Sequence, residues 1–338
     1  YELPIVHEIW EVLRAFASFG FCKAHAAAFA LPTYQSAWLK THYPAAFLAG
    51  VLTHDPGMYP KRLIVDEARQ LGITIAPLDV NASDSAYRVE DHGNAIRIAL
   101  STVSGISDGE VQSIIAGRPY IDLNDFVRRS GCSTPVTESL ILTGSFDSLH
   151  VDVNRRDLLL HFSDLQKSPS AAVSGAQLNL GFEPPALISS GLPAMTAAES
   201  VKYEVDRLGI DMSRHMIEFY GDFLNAIGAV RSSDLLKQRS QSSVLVAGIK
   251  VAMQTPPVRS GKRVIFLTLD DGYGLSDSTF FTDVQGEYAN VLYSTSLLLV
   301  RGITRRTGAR GISIRATGAW DLRAAYESWS AKQSTLAI

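Results

Sequence analysis

Two side chains near the start of the sequence have the chemistry to meet a phosphate: Lys23 and His25, in Phe21-Cys-Lys-Ala-His25. They follow Gly20, where one helical pattern breaks and another begins. The first turn of a helix gathers unpaired backbone N–H groups and partial positive charge, so a basic pair placed there suits a triphosphate. The plainer alternative is a solvated Lys23 and a packed His25, and pattern alone leaves both open.

A second kind of phosphate site is built from backbone. Val103-Ser-Gly-Ile-Ser-Asp-Gly109 is a glycine-bearing turn that runs into helical sequence from Glu110 to Ala116. Gly105, Ser107 and Gly109 are its candidate DNA contacts, because such a turn brings N–H groups close to a phosphate without reading bases. A related turn, Leu142-Thr-Gly-Ser-Phe-Asp147, follows the helical stretch Thr137 to Leu142 and lacks the closing glycine. Phosphate contact is expected at the first turn and structural duty at the second, although any two helices can be joined this way.

Two loops late in the chain are densely basic. Pro256-Pro-Val-Arg-Ser-Gly-Lys-Arg263 offers Arg259, Lys262 and Arg263, and Arg305-Arg-Thr-Gly-Ala-Arg310 offers Arg305, Arg306 and Arg310. Phe280 and Phe281 are adjacent on extended sequence, so one points to a core and the other, expected to be Phe281, can stack on a base. Metal and nucleophile chemistry find little support. The eight His are scattered, and Asp270-Asp271 before Gly272 reads as a turn. No catalytic residue and no metal ligand is assigned.

The elements that must position these residues fall into two styles. From Pro4 to about Thr53 apolar residues recur at helical spacing, with a third helix opened by Tyr43-Pro44; Pro60 to Leu71 is another helix, and Ile73 to Pro77 and Ala95 to Ala99 are extended. Lys167 to Ala198 is rich in Ser, Ala, Pro and Gly and reads as a linker. Helical segments near Ala198 to Leu208 and Met216 to Ile227 come next. Five strands then follow: Val244 to Val251, Arg263 to Asp270, Asp277 to Phe281, Leu297 to Ile303 and Gly311 to Thr317, with helical Val284 to Leu292 after the third. That order is the order of an OB-fold barrel, and the two basic loops are those that flank its nucleic-acid face.

The composition, 46% hydrophobic and 19% charged over 338 residues, suits two or three packed domains. The net charge of -3 hides an asymmetry: Arg231 to Ile338 carries 14 Lys/Arg against 8 Asp/Glu, and the remainder 17 against 26. An anionic partner for the basic part is one reading, a solvated basic face the other. Cys22 and Cys132 are isolated, so no disulfide framework is indicated and a reducing cytoplasm fits. No apolar run approaches membrane-spanning length. A chain that opens at Tyr1 directly on helical sequence is expected to be a piece of a longer protein.

Several strings carry a family resemblance. Gly20-Phe-Cys-Lys-Ala-His-Ala-Ala-Ala-Phe-Ala30, Trp38-Leu-Lys40, Tyr43-Pro-Ala-Ala-Phe47, Pro77-Leu-Asp-Val-Asn81 and Gly144-Ser-Phe-Asp147 resemble the C-terminal part of bacterial DNA polymerase III alpha subunits. Gly209-Ile-Asp-Met-Ser-Arg-His215 and Gln254 to Arg263 are similar to the error-prone, mutagenesis-cassette branch of that family. Cys22 and Ala24 depart from the family's Asn and Ser, while Lys23 and His25 match.

The resemblance implies a multidomain α+β fold: a helical fingers remnant (1–95), a tandem helix-hairpin-helix (96–166), a flexible linker (167–197), a helical connector (198–240) and an OB-fold domain (241–338). It gives Lys23 and His25 to the incoming nucleotide and places the catalytic aspartates upstream, so that Mg2+ is expected for the parent polymerase and no cofactor for this segment. DNA, a Y-family-like polymerase homologue and a RecA-like accessory protein are the implied partners in damage-induced translesion synthesis. Gln177-Leu-Asn-Leu-Gly-Phe182 resembles a sliding-clamp-binding peptide, with Gln177, Leu178, Leu180 and Phe182 as its contacts. The alternative is a non-catalytic adaptor that recruits the mutagenesis partners.

Overall fold

The computed structural model describes residues 2–17, 23–55, 57, 59–167, 186–256, 263–306, 308–309 and 311–336. Four helices open the chain: α1 (Leu3–Ala17), α2 (Lys23–His42), α3 (Pro44–His54) and α4 (Lys61–Gln70). Pro44 starts α3, where its missing N–H costs nothing. The stripe Ala45, Leu48, Ala49 and Leu52 is the face that α3 buries. By contrast α1 and α2 leave Trp10, Phe29, Tyr34 and Trp38 exposed.

Three short strands follow, β1 (Thr74–Ala76), β2 (Arg88–Glu90) and β3 (Ala95–Arg97), in the order β1-β3-β2 with β1 parallel to β3. Then come α5 (Asp108–Ala116), α6 (Leu123–Ser130), α7 (Thr134–Leu142) and α8 (Arg155–Lys167). One apolar core joins α3 and α4 to this helical group and takes in Leu208, Ile210 and Met212 from far along the chain. The expected boundary between residues 95 and 96 therefore falls inside a continuous core. Tyr120, Phe126 and Phe146 form an edge-to-face run through it, with centroids 4.9 and 5.0 Å apart.

The segment from 186 to 196 lacks regular structure, and Ser190 N–H donates to Asp157 at 3.0 Å. α9 (Ala197–Leu208) starts with a capping box between Thr196 and Glu199 and stops at Gly209. α10 (Gly221–Ala226) and α11 (Ser232–Leu235) lead into the barrel.

The barrel strands are β4 (Ser243–Gln254), β5 (Ile265–Asp270), β6 (Leu275–Phe280), β7 (Leu297–Arg306) and β8 (Ile312–Asp321), with α12 (Thr282–Ser294) after β6 and α13 (Leu322–Leu336) at the end. They close in the order β4-β5-β6-β8-β7, as expected of the five-stranded OB arrangement. β6 and β8 pair in parallel; the other pairs are antiparallel. Val246, Leu267, Leu269, Phe280, Leu298 and Val300 fill the interior, closed by Leu292 of α12. Outside, Phe223 of α10 packs with Tyr326 and Trp329 of α13 against Ile249 and Leu299. Among the described residues, no helix is long and apolar enough to cross a membrane.

Candidate nucleic-acid interface

The first glycine turn begins after a short 3-10 turn at Leu100–Thr102. Gly105 has φ +82°, a conformation that costs glycine nothing and a side-chain residue about 1 kcal/mol or more. The chain then enters α5 through Ser107, whose Oγ accepts from Glu110 N–H. Glu110 answers by accepting from Ser107 N–H at 2.9 Å and Ser107 Oγ at 2.8 Å. Ser107, expected at a phosphate, thus spends its donors inside the protein. Gly105, Asp108 and Gly109 lie exposed on the same turn, so a phosphate approaching it meets their backbone.

The second turn has the structural duty expected of it. Thr143, Ser145 and Phe146 are fully buried, Val80 N–H donates to Ser145 O at 3.0 Å, and Arg155 holds both Leu142 O and the Asp147 carboxylate.

On the barrel, strand alternation separates the two phenylalanines. Phe280 is 0% exposed and Phe281 is 40% exposed. Phe281 caps the start of α12, and the Arg315 guanidinium lies over its ring, 5.6 Å from the centroid. An open groove beside them is lined by Gln241, Phe281, Asp283, Thr304, Arg305 and Arg315. Arg315 is held there because β6 and β8 pair at Thr279 and Arg315, and Asp283 steadies it at 3.4 Å. Sequence reasoning passed over Arg315, yet its position between buried Ile314 and Ala316 on a strand already required it to point outward.

The basic loops divide by role. Arg305 lines the groove. Arg306 turns back, and its guanidinium binds the carbonyls of Leu236 and Gln238 at the end of α11, so it braces the barrel rather than presenting a free cation. Arg263 is exposed, and its carbonyl accepts from Gln285 at 2.8 Å. Arg259, Lys262 and Arg310 lie outside the described residues, as do the clamp-peptide candidates Gln177, Leu178, Leu180 and Phe182.

At the other end of the chain, Lys23 and His25 occupy the first turn of α2, both exposed, with His25 stacked 6.5 Å from Phe29. Among the described residues, the grouping of ligand-type atoms is Asp66, His215 and Asp270, all buried and out of reach of a nucleotide. It does not fit the Mg2+ pair of phosphoryl transfer, which must meet substrate phosphates.

The helix-hairpin-helix family model matches residues 72–158. An error-prone DNA polymerase of Symbiobacterium thermophilum is 31% identical over 92% of this chain and 33% of its own length. One from Nocardia farcinica is 33% identical over 88% of this chain and 26% of its own. The DNA polymerase III subunit alpha of Vibrio cholerae is 29% identical over 96% of this chain and 29% of its own. The chain therefore spans a third or less of these curated relatives.

Proposed function

Since the chain is homologous over about nine-tenths of its length to a segment of error-prone DNA polymerases and DNA polymerase III alpha subunits, we propose that it is the DNA-holding region of an error-prone polymerase used in damage-induced translesion synthesis. The exposed backbone at Gly105 to Gly109 takes duplex phosphates, and the barrel groove takes single-stranded template. Lys23 and His25 meet the triphosphate of the incoming nucleotide. The carboxylates that bind Mg2+ for nucleotide addition belong to the rest of the polymerase.

The observation that carries this reading is the groove, where an exposed aromatic ring under one guanidinium stands beside a second cation. That pairing suits a stacked base with its phosphate and needs no particular sequence. Fluorescence anisotropy with a labelled single strand tests it: Phe281→Ala with Arg315→Ala is expected to weaken binding at least tenfold. Unchanged affinity would remove the barrel from the interface.

A second reading, an adaptor, is favoured by the exposed apolar side chains of α1 and α2, among them Trp10, Phe29 and Trp38. In that reading these faces and the segment around Gln177 to Phe182 recruit a Y-family-like polymerase homologue, a RecA-like accessory protein and the sliding clamp. Pulldown of those partners with and without nuclease separates the two readings. Loss of capture after nuclease treatment favours DNA holding, and its persistence favours the adaptor.

A further inference from the structure

The barrel meets the helical body through four buried ionisable side chains drawn from three segments. Asp66 comes from α4, Asp211 and His215 from the stretch after α9, and Asp270 from the end of β5. Their exposures are 2, 1, 2 and 1%. His215 Nε2 lies 3.6 Å from Asp66 Oδ2 and 3.6 Å from Asp270 Oδ2. Those three atoms and Asp211 Oδ1 have no hydrogen-bond partner in the protein.

Each group spends its other side on a donor. Asp66 Oδ1 accepts from Arg69 at 2.6 Å, Asp270 Oδ1 from Gly272 N–H at 3.0 Å, and Asp211 Oδ2 from Met216 N–H at 3.4 Å. His215 Nδ1 accepts from Ile217 N–H at 3.2 Å. An imidazole whose Nδ1 accepts carries its proton on Nε2. Nε2 therefore has no lone pair for a cation and points its N–H at the carboxyl groups.

Charge completes the argument. Three carboxylates, the Arg69 guanidinium and a neutral imidazole sum to -2 in a site without water access, and buried like charges this close do not all ionise. Protons must make up the difference. Burial works against a charge on His215, but Asp270, Asp66 and Asp211 outweigh it and raise the imidazole. A second proton there would still have to displace the Ile217 N–H from Nδ1, so the added proton goes to a carboxyl. Burial, with Asp211 and Asp270 adding and His215 and Arg69 opposing, pushes Asp66 up to about 7. Burial raises Asp211 as well. Asp270 is held low: burial works against its charge, but His215 and the Gly272 N–H outweigh it. The other carboxylates nearby face elsewhere, Glu204 to Ser213 and Asp271 to Ser232.

We infer that Asp66, Asp211, His215 and Asp270 form a proton-holding latch that fastens the barrel to the helical body and loosens when the proton on Asp66 is lost. Protonated Asp66 donates toward Asp270, and the His215 N–H completes the closure. The fit is tight, because a Cβ on Gly272 would stand 2.8 Å from His215 Cγ. Between pH 3.8 and about 7 the folded chain keeps a proton that the unfolded chain releases. The junction is therefore firmest below pH 3.8, weakens as pH rises from there to about 7, and stays weak above it.

Infrared difference titration of the chain tests the proton directly, and hydrogen exchange at the amides of Met216, Ile217 and Gly272 tests the junction. The expected result is one protonated carboxyl lost with a midpoint near pH 7. Exchange at the three amides should rise by several-fold beyond the intrinsic effect of pH as pH climbs from 3.8 toward about 7 and level off above it, and both signals should vanish in Asp66→Asn. If Asp66→Asn does not fold, the two wild-type titrations decide. A wild type with no carboxyl titrating above pH 6, latch amides indifferent to pH, or one tightly held divalent metal per chain by mass spectrometry would overturn the proposal.

Discussion

The carboxylate of Glu110 accepts both the backbone N–H and the hydroxyl of Ser133, 23 residues further on, at 2.9 and 2.7 Å. Its other oxygen serves Ser107, so one side chain caps the first turns of α5 and α7 together.

Glu110→Ala should therefore cost about 1 to 2 kcal/mol, the size of a lost helix cap, in urea unfolding of the chain. The N–H groups of Ser133 and Ser107, followed by their hydroxyls, hold the Glu110 carboxyl down to about 2. Its folded value lies below its usual 4.5, so its support is complete above pH 4.5 and is lost as pH falls toward 2. Wild type and variant should converge in stability over that acid range. A constant gap would mean that Glu110 acts through packing.

Phe280 and Phe281 should separate stability from binding. Truncating buried Phe280 to Ala is expected to cost about 3 to 5 kcal/mol by thermal or denaturant unfolding. Phe281→Ala should leave unfolding nearly unchanged and weaken single-strand binding by about 1 to 3 kcal/mol, the worth of one stacked base. Equal effects on both properties would contradict the outward role of Phe281.

Arg305 and Arg306 are neighbours with different duties. Arg305→Ala should reduce the log-log salt slope of single-strand binding by about 0.7, one phosphate contact. Arg306→Ala should lower the melting temperature instead, with the slope unchanged, because it frees the carbonyls of Leu236 and Gln238. Salt titrations of the two single variants distinguish these outcomes.

If the proposed function holds, Lys23→Ala or His25→Ala in the complete protein is expected to raise KM for the incoming nucleotide about tenfold or more while leaving the Kd for DNA nearly unchanged; one lost charge-assisted hydrogen bond is worth that much. Primer-extension kinetics beside DNA titration check it. The chain by itself should extend no primer.

What the sequence reveals is what short range determines. Short strand-like runs marked all five barrel strands, and the Ser107-x-x-Glu110 spacing already contained the start of α5. Contacts across long separations stayed hidden. Arg306 reads as one more basic loop residue until the fold brings it to Leu236, 70 residues earlier. Asp270 reads as half of a turn, and its Oδ1 does bond Gly272, but its Oδ2 faces side chains from positions 66 and 215 that no local pattern could join to it. The division expected at residue 95 failed to show as a gap for the same reason: the stripe of α3 and the helices after Gly105 share apolar neighbours without sharing a sequence period.

Helix α4 is only ten residues long, yet it serves two masters. Val65 and Ala68 belong to the helical core, while Arg62 donates to Lys250 O in β4, Asp66 faces Asp270 at the end of β5, and Arg69 binds the carbonyls of Asp211 and Met212. The barrel is therefore a poor candidate for free exchange between related chains. A chimaera that swaps residues 241 to 338 keeps every strand pairing but strands α4 against a foreign surface, so compatible grafts must carry matched residues at 62 and 66. Two stretches far apart in the sequence thus pack as one unit, so a substitution at Asp66 is expected to be felt at Asp270.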